Sequence, residues 1–261
     1  MKIKDVVEAL ERFAPLPLQE SYDNAGLQIG LTGNEDVSGV LLCLDVTEQV
    51  IEEAERKKCN LIVSHHPLIF RPLRRITGSS CVERCVAMAL RKNIAIYSAH
   101  TNLDNAPEGV NFEIAERLQL KNVRFLKRNS DNMGGSGVIG MLSEPMHWRN
   151  FLLKVKDAFG IDALMHNVPS SERMVNTVAL CGGAGDFLLD EAVAQQADAF
   201  LTGEMGYHHY FGRENEILIG VMGHYQSEQF TIKLLREILR VMHLEVRVEE
   251  TEVNTNPIRT I

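Results

Sequence analysis

The chain has 261 residues, 45% hydrophobic and 24% charged, the proportions of a globular protein able to bury a large core. Its formal net charge of −8 argues against a surface built to trap nucleic acid, since that affinity rests on many Lys and Arg facing phosphates. No apolar run approaches the roughly 20 residues of a membrane helix, no secretory h-region opens the chain, and the five cysteines form no C-x-x-C pair, so a reduced, cytoplasmic setting is expected.

Residues 1–8 read as an amphipathic helix. Residues 37–44 are a near-continuous apolar run, a buried strand, after which Thr47 stands as N-cap to an amphipathic helix reaching about Lys58. A strand over 61–64, a helix near 80–92, a strand over 94–98 and a helix near 111–120 follow. Cys81 and Cys85 share one face of the second helix, either as a zinc or redox pair or as a reduced, half-buried face. The polar, glycine-rich stretch 129–137 breaks the pattern and reads as a boundary or insertion point. A second alternation then runs through a helix near 146–159, a strand around 177–181, a helix to 196 and strands at 199–202 and 217–221. A long helix over about 225–242, with one apolar stripe, and a short strand over 244–248 close the chain. Such alternation predicts an α/β fold with largely parallel sheets covered by crossover helices.

Two sequence echoes superimpose without gaps. His100-Thr101-Asn102-Leu103-Asp104 and His224-Tyr225-Gln226-Ser227-Glu228 share one offset of 124 (224 − 100; 228 − 104). The segment from Val40 to His66 parallels that from Val178 to Glu204 at an offset of 138 (178 − 40; 204 − 66), which indicates a duplicated unit. In open parallel sheets ligands bind beyond the carboxyl ends of strands. Ser64-His65-His66-Pro67, Ser98-Ala99-His100, Thr202-Gly203-Glu204 and Met222-Gly223-His224 all fall there.

Neighbouring residues on an extended chain point to opposite faces, so His65 and His66 are expected to serve different ions or roles. His224 and Glu228, four apart at a helix start, share a face, whereas 101–104 reads as a loop. Three histidines (His65, His66, His224) and two carboxylates (Asp104, Glu228) exceed what a mononuclear catalytic site uses and suffice for two divalent ions; Zn, Fe, Mn, Co and Ni all suit such donors. A bridged pair of ions lowers the pKa of water and clamps a substrate oxygen, which is hydrolytic chemistry. His100 is then an outer orienting group or a general acid/base. The cations Arg71, Arg74 and Arg75 suit a phosphate-bearing substrate, or else form a solvated loop. Cys181-Gly182-Gly183-Ala184-Gly185 lacks both the dinucleotide and Walker patterns and reads as a close-packed strand-to-helix turn. His208, among the aromatics of 207–210, either lines the mouth of the site or is surface filler.

At these motifs, together with Asp23-Asn24-Ala25-Gly26-Leu27-Gln28, the chain resembles over nearly its whole length the Nif-three-like dinuclear metal proteins, often labelled GTP cyclohydrolase type 2 homologues. The resemblance implies two interlinked, pseudo-symmetric α/β domains, a two-metal site in the cleft between them, and a toroidal homohexamer. Carried over by position, the ligands are His65, His66, Asp104, His224 and Glu228, with Glu228 as the bridge. Asn24, Arg71, Glu204 and His208 are expected to face substrate. The domains expected are 1–125 with 223–261, and 126–222. The function expected is hydrolysis of a nucleotide-like or other small molecule; the alternative is a non-enzymatic, ring-shaped metal-binding scaffold or regulator that binds a partner or nucleic acid.

Overall fold

The structure, a computed structural model, describes residues 1–30, 33–130, 132–169, 172–242 and 245–259. In chain order its elements begin with α1 (Ile3–Phe13), β1 (Gly26–Ile29), β2 (Val40–Cys43), α2 (Glu48–Arg56) and β3 (Leu61–Ser64). There follow α3 (Cys81–Arg91), β4 (Ala95–Ser98), α4 (Thr101–Asp104), α5 (Val110–Arg117), β5 (Lys121–Arg128), β6 (Gly135–His147) and α6 (Trp148–Phe159). The rest are β7 (Met165–His166), β8 (Met174–Cys181), α7 (Leu189–Ala194), β9 (Ala199–Thr202), β10 (Leu218–Val221), α8 (His224–Glu228), α9 (Thr231–Val241) and β11 (Val248–Glu250). No helix is long and apolar enough to cross a membrane among the described residues.

The chain forms two compact units, one of Met1–Leu103 with Thr231–Pro257 and one built on Asp104–Phe230. The first holds a 5-stranded sheet in the order β1-β4-β3-β2-β11, in which only β1 runs antiparallel to its neighbour. Its core strands are apolar on both faces and fully buried, as parallel strands under crossover helices must be. Thr47 caps α2 as expected, its hydroxyl accepting from the Val50 N–H at 3.3 Å. The second unit holds a 6-stranded sheet in the order β5-β6-β8-β9-β10-β7, with β8, β9 and β10 parallel and the outer strands antiparallel.

The duplication reaches the hydrogen-bond register. Val40 lies opposite Leu61 on β2 and β3, and Val178 opposite Ala199 on β8 and β9, a spacing of 21 residues in both (61 − 40; 199 − 178). Both units are therefore one three-strand parallel core, differently edged.

The structure departs from the sequence reading in four places. The stretch 129–137 is no boundary: β5 and β6 pair antiparallel around it, Lys127 opposite Ser136 and Arg128 opposite Gly135, so the polar glycines turn a hairpin. The compact units divide at 103/104 and 230/231 rather than at 125/126 and 222/223, because α5 packs on β6 and β8, and β5 belongs to their sheet. The expected long last helix is two, α8 and α9. Phe230 between them is held in the second unit by the Phe159 ring at 5.9 Å and the Arg117 guanidinium at 3.2 Å, while Leu235, Ile238 and Leu239 of α9 are buried in the first. The last strand is β11, which starts only at Val248, the final residue of the expected 244–248, of which Leu244 lies outside the described residues.

Candidate metal centre

In the first unit β3 ends at Ser64, and the two histidines follow it in a bend. The Ser64 hydroxyl makes the bend, donating to the His66 carbonyl at 2.9 Å and lying 2.8 Å from Ser98 Oγ. Because the strand has already stopped, its two-residue alternation does not apply. Contrary to expectation, His65 and His66 lie on the same side, with ring centroids 4.9 Å apart. His100, after β4, joins them at 5.4 and 5.6 Å from the two rings, and one nitrogen from each of the three lies within 4.8 Å of the others. His65 is fully buried.

Each ring is oriented through Nδ1. His65 Nδ1 is 2.8 Å from the Ala99 carbonyl, which can only accept, so the proton sits on Nδ1 and the lone pair on Nε2. His66 Nδ1 meets Asp45 Oδ1 at 2.7 Å, and His100 Nδ1 meets Asp23 Oδ1 at 2.7 Å. Burial pushes the Asp23 carboxyl up, but hydrogen bonds from His100, Thr101 and the Asn24 N–H outweigh it and bring the pKa down to about 2. At Asp45 the upward push of burial is likewise overcome by the His66 hydrogen bond and charge and by a hydrogen bond from Thr255, so its carboxyl too lies below the ordinary range.

The segment 101–104, expected as a loop, is the one-turn helix α4, whose last residue, Asp104, opens the second unit. The buried Asn111 ties this end to the glycine-rich turn, donating to the Asp104 carbonyl at 3.1 Å and accepting from the Gly182 N–H at 2.9 Å. That turn beds the Glu228 carboxylate. A Cβ at Gly183, where φ is +59°, would stand 2.3 Å from Glu228 Oε1, so glycine is demanded by space and by backbone angle together. The turn therefore seats a carboxylate rather than a nucleotide phosphate. Ser227 links the same parts, accepting from the Gly183 N–H at 3.0 Å and donating to the His224 carbonyl at 2.8 Å.

His224 and Glu228 share a face as their spacing predicts, with Nε2 and Oε2 3.1 Å apart. His224 Nδ1 is in turn held by Glu204 Oε1 at 2.8 Å, which places the proton at Nδ1 and aims the Nε2 lone pair at the Glu228 carboxylate. Two electron-pair donors so close need a cation between them, a proton or a metal ion. With metal–ligand bonds of about 2.1 Å, adjacent ligand atoms lie roughly 3.0 to 3.4 Å apart, so the pair fits one coordination sphere. The donor set, imidazoles fixed at Nδ1 and a buried carboxylate, suits a divalent transition metal, and clusters that could hold an ion are present.

The substrate-facing expectations divide. Glu204 has one oxygen engaged by His224. Asn24 spends its amide on the Ile69 carbonyl at 2.6 Å, pinning the approach to β1 onto the segment that follows the histidines. Arg71, Arg74 and Arg75 are exposed and make no hydrogen bond or ion pair among the described residues. His208 lies in an exposed turn, its ring 5.3 Å from Tyr207 and 6.1 Å from Phe211. Sequence reasoning did not assign Asp45, Asp23 or Asn111 a role, although Asp45 lies just past the β2 strand end, after Leu44, as His66 lies past β3 after His65.

Comparison with known proteins supplies the lineage. Residues 1–257 match the family described as Duf34/NIF3 (NGG1p interacting factor 3). A Lactococcus lactis protein named GTP cyclohydrolase 1 type 2 homolog is 34% identical over 98% of both chains. The NIF3-like protein 1 of Drosophila melanogaster is 31% identical over 100% of this chain and 89% of its own. Among solved structures, a Staphylococcus aureus hypothetical protein superposes with a TM-score of 0.92 at 27% identity, covering 100% of this chain and 99% of the other. With a family match across almost its full length, the chain belongs to the Duf34/NIF3 family.

Proposed function

We propose that this protein is a dinuclear metal-dependent hydrolase of a nucleotide-like or other small substrate, working as a homohexamer. The observation that carries the reading is that all four strand-end histidines, His65, His66, His100 and His224, are anchored at Nδ1 by an acceptor. That arrangement is typical of metal-ligating imidazoles and has no purpose in a solvated surface histidine.

On this reading His65, His66, Asp104, His224 and Glu228 would hold two divalent ions. The ions, when bound, supply Lewis acidity and activate water for attack. The chain's own groups do the rest. Asp23 stays ionised down to about pH 2 and holds the His100 ring through Nδ1, which leaves Nε2 for proton transfer or for service as a further ligand. The exposed cations Arg71, Arg74 and Arg75 meet the substrate's negative charge. The name of the Lactococcus lactis relative makes GTP the first substrate to test.

The test combines elemental analysis with a turnover panel. About two ions per chain, release of product from GTP, a phosphoester or a cyclic amide, and loss of both in His224→Ala are expected. A protein that binds two ions yet turns over nothing in the panel overturns the hydrolase reading and leaves the metal-binding scaffold. His100→Ala separates the roles of that residue: a lost ion makes it a ligand, while full metal content with lost turnover makes it the proton acceptor.

A further inference from the structure

In the second unit a cavity of about 490 Å³ opens beside the turn 207–210, walled by Met165, His166, Met205, Tyr207, Phe211 and Glu214. Its volume lies within the range of small-molecule sites. Met165, Tyr207 and Phe211 are 62%, 72% and 61% exposed, a concentration of large apolar side chains that a soluble surface does not keep without use. Tyr207 and Phe211 meet edge to face, centroids 5.2 Å apart, and His208 stacks on Phe211 at 6.1 Å, so the exposed Tyr207 ring is the one left for a flat ligand. The wall is rigid: Asn167 donates to the Ile217 carbonyl at 2.9 Å and accepts from the Ile219 N–H at 2.8 Å, locking β7 to β10.

The polar atoms say what fits. Among the described residues no Lys or Arg lines the cavity, so a phosphate finds no cationic partner in that lining. Glu214 makes no hydrogen bond or ion pair among the described residues, and its neighbour Arg213 is taken by Asp190 and Glu216. His166 donates from Nδ1 to the Asn167 carbonyl, which leaves Nε2 as an acceptor. Two acceptors and an open aromatic face call for a flat ring bearing N–H donors. Met205 directly follows Glu204, the residue that orients the proposed ligand His224, so the cavity begins one residue beyond that orienting group.

We propose that this cavity binds an amino-substituted nitrogen heterocycle, stacked on Tyr207 and meeting the Phe211 ring edge to face, with its N–H groups on Glu214 and His166. Calling that ring part of the substrate rests on the hydrolase reading; the binding itself does not. The test is calorimetric titration of the full-length, metal-free protein with cytidine and guanosine, which carry an exocyclic amine, and with uridine and inosine, which lack it. Saturable binding of the first pair is expected, weaker for the second. Phe211→Ala and Tyr207→Ala, both at exposed positions, should each weaken it about tenfold, the scale of a lost aromatic contact. Glu214→Gln should reduce the preference for the amino compounds. No saturable binding, equal binding of all four nucleosides, or affinity untouched by Phe211→Ala overturns the proposal. So does a Phe211→Ala protein whose particle mass changes while binding does not, which would make the patch a contact between copies of the chain. Because no metal and no turnover enter the measurement, a failed hydrolysis assay leaves a positive result standing, and the reverse also holds.

Discussion

Each strand-end histidine spends one ring nitrogen on a fixed acceptor, and that choice controls the other nitrogen. An imidazole that donates from Nδ1 to a carboxylate is more basic at Nε2 and cannot rotate, so the acid tunes affinity without touching an ion. Asp45 does this for His66 at 2.7 Å. Asp45→Asn keeps the shape but removes the charge, and metal affinity should fall about 10- to 100-fold with thermal stability of the apoprotein little changed. Competition against a graded chelator measures it; an unchanged affinity would show that Asp45 orients nothing of consequence. The histidines themselves were legible in the sequence, because strand ends of a parallel sheet are where such residues collect. Asp23 was not, because its partner His100 lies 77 residues away and no local pattern joins them.

At the scale of elements, α3 shows how one buried carboxylate organises a segment. Glu83 accepts from the Thr77 N–H and hydroxyl, both at 2.8 Å, and from the Ser79 N–H at 3.2 Å and hydroxyl at 2.9 Å. These bonds, the Thr77 N–H foremost, bring its pKa from 4.5 down to about 2. A carboxyl depressed in the folded state contributes stability above its unfolded pKa and loses it as pH falls through the folded one. The difference in urea midpoint between the native protein and Glu83→Gln should therefore be full above about pH 4.5 and shrink to little near pH 2. A pH-independent difference would mean that the charge is not what counts. Helices and parallel strands were readable here because their apolar periods are strong. The β5–β6 hairpin was not, since a glycine-rich polar turn looks alike whether it joins two strands or two domains. The switch from α8 to α9 was hidden for a different reason: one apolar stripe runs through Phe230 and α9, and nothing local says that Phe230 packs with Phe159 and Arg117.

For the whole molecule, the path of the chain matters most. Asp104–Phe230 is continuous and carries its own core, including the buried Phe151, Phe159 and Phe200, whereas the first unit needs Thr231–Pro257 to supply α9 and the edge strand β11. A fragment of residues 104–230 should unfold cooperatively alone, while residues 1–103 should show no cooperative transition. Circular dichroism melts of the two fragments decide it; a cooperative melt from 1–103 would mean that α9 and β11 are accessories. The duplicated core was visible in the sequence as constant offsets, and the identical 21-residue pairing of β2 with β3 and β8 with β9 accounts for them (61 − 40; 199 − 178). The exact division was not visible, because it depends on which sheet β5 joins.

The pairing of β11 with β2 also orders events in time. β2 is made before the whole of Asp104–Phe230, and the strand that covers its edge is made after it. Throughout synthesis the second unit can close on itself while that open edge, with β2 fully apolar, waits in a form other chains could join. The time that edge stays uncovered is therefore set by how long the intervening unit takes to synthesise.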